Sequence, residues 1–473
     1  MTDQPGAAFN QPGKNLPLPE PALNRRGFVR LLGSGALAAA FVGKLSRAKA
    51  GTAAPPVDPV VLSTAGSGRA TGYGEASKII TLGASTHVAW LDAEPAGFRV
   101  RIRTLDRRTG QWSPTVTVGE AHDNHGGPGL TVDSRGHLHI VYFPHHRPFR
   151  YRRSVRPNDA SEWGPEIQFG ESLSYPVLLC APDDTLILTC RRYYEAKDHL
   201  NELELWKKPA DGAWQRQGVI MRSRYPDYVH FQDATAWGPD HRTIHLSCRI
   251  YETHPQPGGK PIETLGYLVS PDAGVTWTRL DGTPVTLPAT AETVDVLLRG
   301  GDTTGRTLYA GPLAVNRDGV PHLLHSVREN GTAHSYLATP APAGGWTRRD
   351  LHSFLPAAWR DHDMVMTGAI TFSASGRATI IATLVKMAPG ESDWAHPSSE
   401  IVRLWSDDGA RTFQSEVLQP LAVHGPHWLP NLERATGHHV IPEEPGIIYT
   451  AGTGGTGLNE RQLNNQVWWR PRN

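Results

Sequence analysis

The chain has 473 residues, 48 glycines, 39 prolines and a formal net charge of +1. That length exceeds one compact core of ordinary size but suits a ring of small sheets, and the near balance of charge excludes a sequence-independent nucleic-acid binder, which carries a basic excess. The three cysteines, Cys180, Cys190 and Cys248, are odd in number and lack a C-x-x-C spacing, so they read as buried free thiols.

The first element is a targeting segment. Asn24-Arg25-Arg26-Gly27-Phe28-Val29-Arg30 precedes an apolar stretch from Leu31 to Val42, and Ala48-Lys49-Ala50 follows. A paired-arginine basic region, a short apolar region and an A-x-A cleavage site make residues 1–50 a twin-arginine signal. The apolar run is too short and too rich in Gly and Ala to span a bilayer. The expected protein is therefore exported, periplasmic or extracellular, with no stable membrane insertion after cleavage. Residues 51–473 then form a single domain, with 40 basic against 44 acidic residues.

From about residue 57 the chain reads as short strands with turn signals every 8–12 residues, the pattern of an all-β protein. Lys78-Ile79-Ile80, His87-Val88-Ala89-Trp90 and Phe98-Arg99-Val100-Arg101 open the series. Gly129 to Val132 and Leu138 to Tyr142 flank a turn at Asp133-Ser134-Arg135-Gly136, and Tyr175 to Leu179 and Leu186 to Cys190 flank Pro182-Asp183-Asp184. Comparable pairs surround Pro239-Asp240, Arg317-Asp318-Gly319 and Ser375-Gly376. Trp112, Trp163, Trp214, Trp277, Trp346, Phe413 and Trp468 each close a turn-rich segment, roughly fifty to seventy residues apart. Ser270 to Trp277 is a full S-x-D-x-G-x-T-W box, and Ser406 to Phe413 is a degenerate copy. The expectation is a seven-bladed β-propeller whose last blade, one strand short, takes the early strand Val57 to Leu62 and closes the ring.

Aligning consecutive blades on their first hairpin turn places four titratable residues at one repeat position. His125 lies eight residues before Asp133, Tyr175 eight before Asp183, His230 eight before Gly238 and Tyr309 eight before Arg317. Structural repeats favour small or apolar groups there, so His, Tyr, His and Tyr facing one channel mouth point to chemistry. Cys190-Arg191 and Cys248-Arg249 share a second repeat position, and Arg presents a planar fork suited to a carboxylate or sulfate. The loop Phe143-Pro144-His145-His146-Arg147-Pro148 lies near them. This set suits proton abstraction beside a carboxylate. Cationic groups neutralise a uronate so that its C5 hydrogen becomes acidic, a base removes it, and an acid protonates the departing O4.

Asp123-Asn124-His125-Gly126-Gly127-Pro128, Gly136-His137-Leu138-His139, His145-His146-Arg147-Pro148, Tyr151-Arg152-Arg153-Ser154 and the Tyr175 to Arg191 spacing resemble the BNR-repeat propeller polysaccharide lyases, the ulvan lyases and rhamnose–glucuronate lyases among them. The similarity spans roughly 75–470. It implies His125 as base, His145 as a second acid/base or carboxylate-binding histidine, Tyr175 as proton donor and Arg191 as carboxylate clamp. His230, Arg249 and Tyr309 are then expected around the substrate. The chain departs from those lyases at Gly126, where relatives often carry Asn. It departs again at Glu263-Thr264-Leu265-Gly266, where many have an H-D-L-C segment that helps bind a structural zinc. With that His and Cys both absent, no zinc is expected at that place, and His245, Cys248 and His254 do not make a substitute, because i,i+3 residues of a strand face opposite sides.

The implied partner is an anionic polysaccharide met by a monomer without cofactor. A sialidase is the first alternative, but its F/Y-R-I-P start is absent, since Phe98-Arg99-Val100-Arg101 does not match. A glycoside hydrolase on the same scaffold needs two carboxylates about the scissile bond, and the candidate ring is His, Tyr and Arg. A non-catalytic carbohydrate-binding propeller is the third, which fold alone does not exclude.

Overall fold

The computed structural model describes residues 59–143, 145–195, 199–255, 259–388, 390–418, 425–453 and 464–470. The export-signal reading of residues 1–50 falls outside them. Apart from the short 3-10 turns His352–Phe354 and Ala357–Trp359, the described elements are β-strands. The residues dictate this. In Gly97–Asp106, Phe98, Val100 and Ile102 are buried while Arg99, Arg101 and Arg103 sit between them, the period-two pattern of a half-buried strand. Ala378–Val385 is buried along its whole length, its apolar run broken only by Thr379 and Thr383.

Hydrogen bonding links the strands into four antiparallel sheets, in which consecutive strands are nearly always neighbours. The exception joins the ends of the described chain. Strand Val60–Gly66 pairs with Asn465–Arg470, Val60 opposite Trp469 and Val61 opposite Trp468, and touches Ser85–Glu94 through Gly66 and Asp92. The early strand therefore sits beside the late ones, as expected, although it runs a few residues beyond Leu62. Strands Ile79–Leu82, Gly129–Val132, Ile167–Cys180, Val229–Trp237, Arg306–Val315, Asp363–Phe372 and His427–Leu432 each contact the next of the series, so the opening strands of successive meanders are packed on one another.

The turn boxes hold the outer edges. Asp272 accepts the backbone N–H of Val275 at 3.1 Å and of Thr276 at 2.8 Å, plus the Thr276 hydroxyl at 2.7 Å. Ser270 Oγ accepts the Gly274 N–H, and Trp277 is driven into the core at 2% exposure. Ser406, Asp408 and Thr412 repeat the arrangement ahead of Phe413. Cys180, Cys190 and Cys248 are buried free thiols.

Two segments cross between the opening strands. Residues 67–78 run from the first strand to Ile79–Leu82, and the side chains they meet satisfy their backbone. Asn431 Nδ2 donates to the carbonyls of Tyr73 and Ala76, both at 3.1 Å, Lys78 Nζ donates to the same two, and Arg434 donates to Glu75 O. Residues 434–438 cross elsewhere. Cys180 N–H donates to Thr436 O at 2.8 Å, Thr436 Oγ1 donates to Leu130 O, and His438 N–H donates to Val132 O. A cavity of about 50 Å³ lies among Thr235, Leu313, Ile370, Arg434 and Thr436.

Trp469, 2% exposed and edge-on to Trp112 at 5.5 Å, anchors the sheet that joins the two ends. Trp469→Ala is expected to cost about 3–5 kcal/mol, read as a lowered urea midpoint. An unchanged midpoint would mean that this sheet contributes nothing to global stability.

Candidate functional site

The site grows from one carboxylate. Asp123 lies in the turn between strands Val116–Ala121 and Gly129–Val132. Its Oδ1 accepts the His125 N–H at 2.8 Å and lies 3.2 Å from His125 Nδ1, while its Oδ2 lies 2.7 Å from His145 Nδ1. The two imidazoles stack, with ring centroids 3.9 Å apart and planes 20° apart. Burial opposes charge on Asp123, but the hydrogen bonds from both histidines outweigh it and hold its carboxyl well below the usual range. An ionised Asp123 makes both Nδ1 atoms donors, which leaves the Nε2 of each neutral ring as a bare acceptor. Burial pushes His125 down to about 4, against the raising effect of its bond to Asp123.

Tyr175 reaches this pair because its strand slips. The pairing of Ile167–Cys180 with Leu186–Arg192 is broken between Ser174 and Val177, and Tyr175 takes a left-handed φ of 58°. A bulge of this kind re-aims a side chain. The Tyr175 ring stands 6.4 Å from His125 and 5.2 Å from His230, edge-on to both. Burial raises its phenol, with Arg191 pulling the other way, so the hydroxyl stays protonated at neutral pH.

Arg191 lies opposite Ser174 with its guanidinium 4.7 Å from the Tyr175 ring centroid. It is 1% exposed, and Nε and Nη1 find no partner. Its Nη2 donates to His146 Nε2 at 2.9 Å, and burial together with the Arg191 charge pushes His146 down to about 3. Among the described residues Arg191 meets no carboxylate. Arg249 differs. It lies opposite Gln232 and forms an ion pair with Glu263 at 3.2 Å. Glu263 also accepts the Leu308 N–H at 2.6 Å, so a carboxylate–guanidinium pair occupies the place where many relatives are expected to help bind zinc.

Of the residues singled out in the sequence, the structure brings His125, His145, Tyr175, Arg191 and His230 together. Burial drives His230 well below its ordinary pKa, and Arg191 and Arg249 add to this. Tyr309 stands among Arg328, Asp393 and Arg249, in ring contact with none of the others. Sequence reasoning left out Asp123 and His146 as site members, although both lie in quoted motifs, and Tyr193, which stacks on His146 at 4.3 Å. Tyr193 lies two residues beyond Arg191, and strand alternation points to it. Arg69 and Tyr73, which carry no sequence signal, also join the site. The Tyr73 ring stands 5.2 Å from Tyr175 and 6.5 Å from His125, and its hydroxyl accepts from Arg69 Nη1 at 2.8 Å.

Among the described residues two groups have atoms close enough to hold a metal ion. Asp123, His125 and His145 form one, and Cys180, Asp184 and His438 the other, the ligand atoms of each lying within 4.8 Å of one another. The types suit a divalent transition metal. In both groups hydrogen bonds already use these atoms: Asp123 takes both Nδ1 donors, His438 Nε2 donates to Ala181 O, and Asp184 accepts the Ser134 N–H and hydroxyl.

The shared carboxylate has a measurable consequence. Asp123 favours the charged form of His125, so Asp123→Asn lowers the His125 pKa below about 4, as read by NMR titration. The linkage has a definite sign. In the unfolded chain these histidines bind protons near the ordinary imidazole value of about 6.5, while folded His125 and His146 do so only near 4 and 3. Their contribution to stability is present above about 6.5 and is lost as pH falls towards those values.

No curated protein sequence matches the chain. The fold resembles that of an ulvan lyase of family PL25, solved bound to -[GlcA(1-4)Rha3S]-. The TM-score is 0.65 and the identity 14%, over 87% of this chain and 95% of the other. It also resembles the polysaccharide lyase Uly1, with a TM-score of 0.58 and 12% identity over 88% and 98% of the two chains. The model of BNR repeat-containing family members matches residues 85–354, more than half of the sequence, and the chain belongs to that family.

Proposed function

We propose that this protein is an exported polysaccharide lyase that cleaves a uronate-containing glycan of the ulvan or rhamnosyl-glucuronate kind by β-elimination, on a ring of seven blades closed by strand Val60–Gly66. The observation that carries this reading is Arg191. A guanidinium that is buried, in van der Waals reach of a tyrosine and without a carboxylate among the described residues awaits an anion from outside. A uronate carboxylate supplies it. The likeness in fold to two polysaccharide lyases agrees with this.

In this mechanism Arg191 neutralises the carboxylate, which makes the C5 hydrogen acidic. His125 Nε2 takes that proton, and the electron pair forms the C4–C5 double bond. The C4–O4 bond breaks, and O4 takes the Tyr175 hydroxyl proton. Asp123 holds Nδ1–H in place and offsets the positive charge that forms on His125. His145, stacked on it and bound to the same carboxylate, shares that charge. Proton exchange through solvent resets His125 and Tyr175. Asp123 is committed to the two histidines, so it does not serve as one of the two carboxylates that a hydrolase requires.

Incubation with uronate polysaccharides is expected to raise the ultraviolet absorbance of an unsaturated uronate. Release of reducing ends without it would indicate hydrolysis, and binding without either product a lectin-like role. His125→Ala and Tyr175→Phe are each expected to lower kcat by about a hundredfold or more while leaving the melting temperature near that of the parent. Full activity in both variants would remove these residues from the chemistry. Arg191→Gln is expected to lose more kcat/KM than Arg249→Gln, because Glu263 already holds the second guanidinium.

A further inference from the structure

Arg69 lies in the crossing segment, half-buried, on the Tyr73 side of the site. Its guanidinium rests 4.8 Å from the Trp394 ring centroid and 5.8 Å from that of Tyr73. Nη1 donates to the Tyr73 hydroxyl at 2.8 Å, while Nε is buried without a partner. Ion pairs neutralise the neighbouring arginines: Arg328 pairs with Asp363 and Asp393, and Arg249 with Glu263. Among the described residues no carboxylate pairs with Arg69. Its charge is felt at His125, Tyr175 and His230, each of which it biases electrostatically. The site thus holds two cations without a counter-ion, one beneath Tyr175 and one beyond Tyr73. A single uronate carboxylate satisfies one of them.

We infer that Arg69, braced by Trp394 and Tyr73, is a second anion-binding subsite for the sulfate ester or carboxylate of the sugar next to the one whose carboxylate Arg191 holds. This rests on the lyase reading above. Stacking on Trp394 fixes the plane of the fork, and the Tyr73 bond fixes its rotation, so the guanidinium edge is pre-oriented for an oxyanion. The substrate class that follows is a glycan with anionic groups on adjacent sugars.

The test compares the parent protein, Arg69→Gln and Arg69→Lys on ulvan and on chemically desulfated ulvan. It reads KM and kcat from the ultraviolet product, and retardation in gels cast with each polymer. Arg69→Gln is expected to raise KM on ulvan about tenfold, the worth of one charge-assisted hydrogen bond, with a smaller fall in kcat. Arg69→Lys, which keeps the charge without the fork, falls between the two and stands in should the Gln variant fail to fold. An effect that disappears on desulfated ulvan identifies the sulfate of the neighbouring sugar as ligand, and one that persists places the ligand on a uronate and overturns the assignment to that neighbouring sugar. Unchanged KM and retardation for the variants on both polymers overturn the subsite. If the parent releases no unsaturated product, the lyase reading fails and gel retardation alone decides: weaker retardation of the Arg69 variants sustains the subsite, and equal retardation removes it.

Discussion

Everything around the site depends on how the backbone of residues 67–78 is satisfied where it leaves water. A crossing segment with unpaired carbonyls is costly, and here a side chain from a distant part of the chain and one from the segment's own end meet it. Asn431 and Lys78 both donate to Tyr73 O and Ala76 O. Burial lowers Lys78 to about 7, with Glu75 opposing, and burial also raises Glu75, so this centre holds its charges reluctantly. The close fit extends to Gly127, where a Cβ would stand 2.5 Å from Gly72 O. Gly127 is thus explained by the approach of the segment that carries Tyr73 and Arg69, and Gly126 by that of Ala121, whose Cβ would stand 2.5 Å from an added one.

That framework sets up an electrostatic asymmetry. The histidine side gathers its negative charge on Asp123, which fixes two imidazoles in one tautomer and leaves their far nitrogens bare. The arginine side holds uncompensated positive charge at Arg191 and at Arg69. Between them stands Tyr175, whose burial keeps its proton in place. A neutral His125, a protonated Tyr175 and two arginines without a carboxylate partner among the described residues arise from separate local causes, yet they converge on one cluster of side chains. The second arginine of the repeat shows how little separates a binding group from a structural one. Arg249 has an acidic neighbour across its strand pair at Glu263, and Arg191 has none among the described residues.

Much of this was legible in the sequence. Turn boxes, period-two strands and regularly spaced aromatics announced antiparallel meanders, and alignment on the hairpin turns picked out His125, Tyr175 and His230. The alignment was less reliable about direction, because a bulge after Ser174 rotates Tyr175, and Arg191 lies opposite Ser174 whereas Arg249 lies opposite Gln232. Tyr309 shares the repeat spacing but faces Arg328 and Asp393, since spacing along a strand does not report which neighbours fill the adjoining sheet. Arg69 and Tyr73 could not be found this way at all. They lie outside the repeat, on a connection whose path is set by contacts with residues more than three hundred positions away.

The second crossing segment, residues 434–438, bears on the path a polymer can take. Its bonds to Leu130, Val132 and Cys180 tie together the opening strands Gly129–Val132 and Ile167–Cys180, and a cavity of about 50 Å³ lies beside Thr235, Leu313 and Ile370. On the lyase reading, a glycan meets backbone where residues 434–438 join these two strands, and the histidines are reached from their own side of the strands.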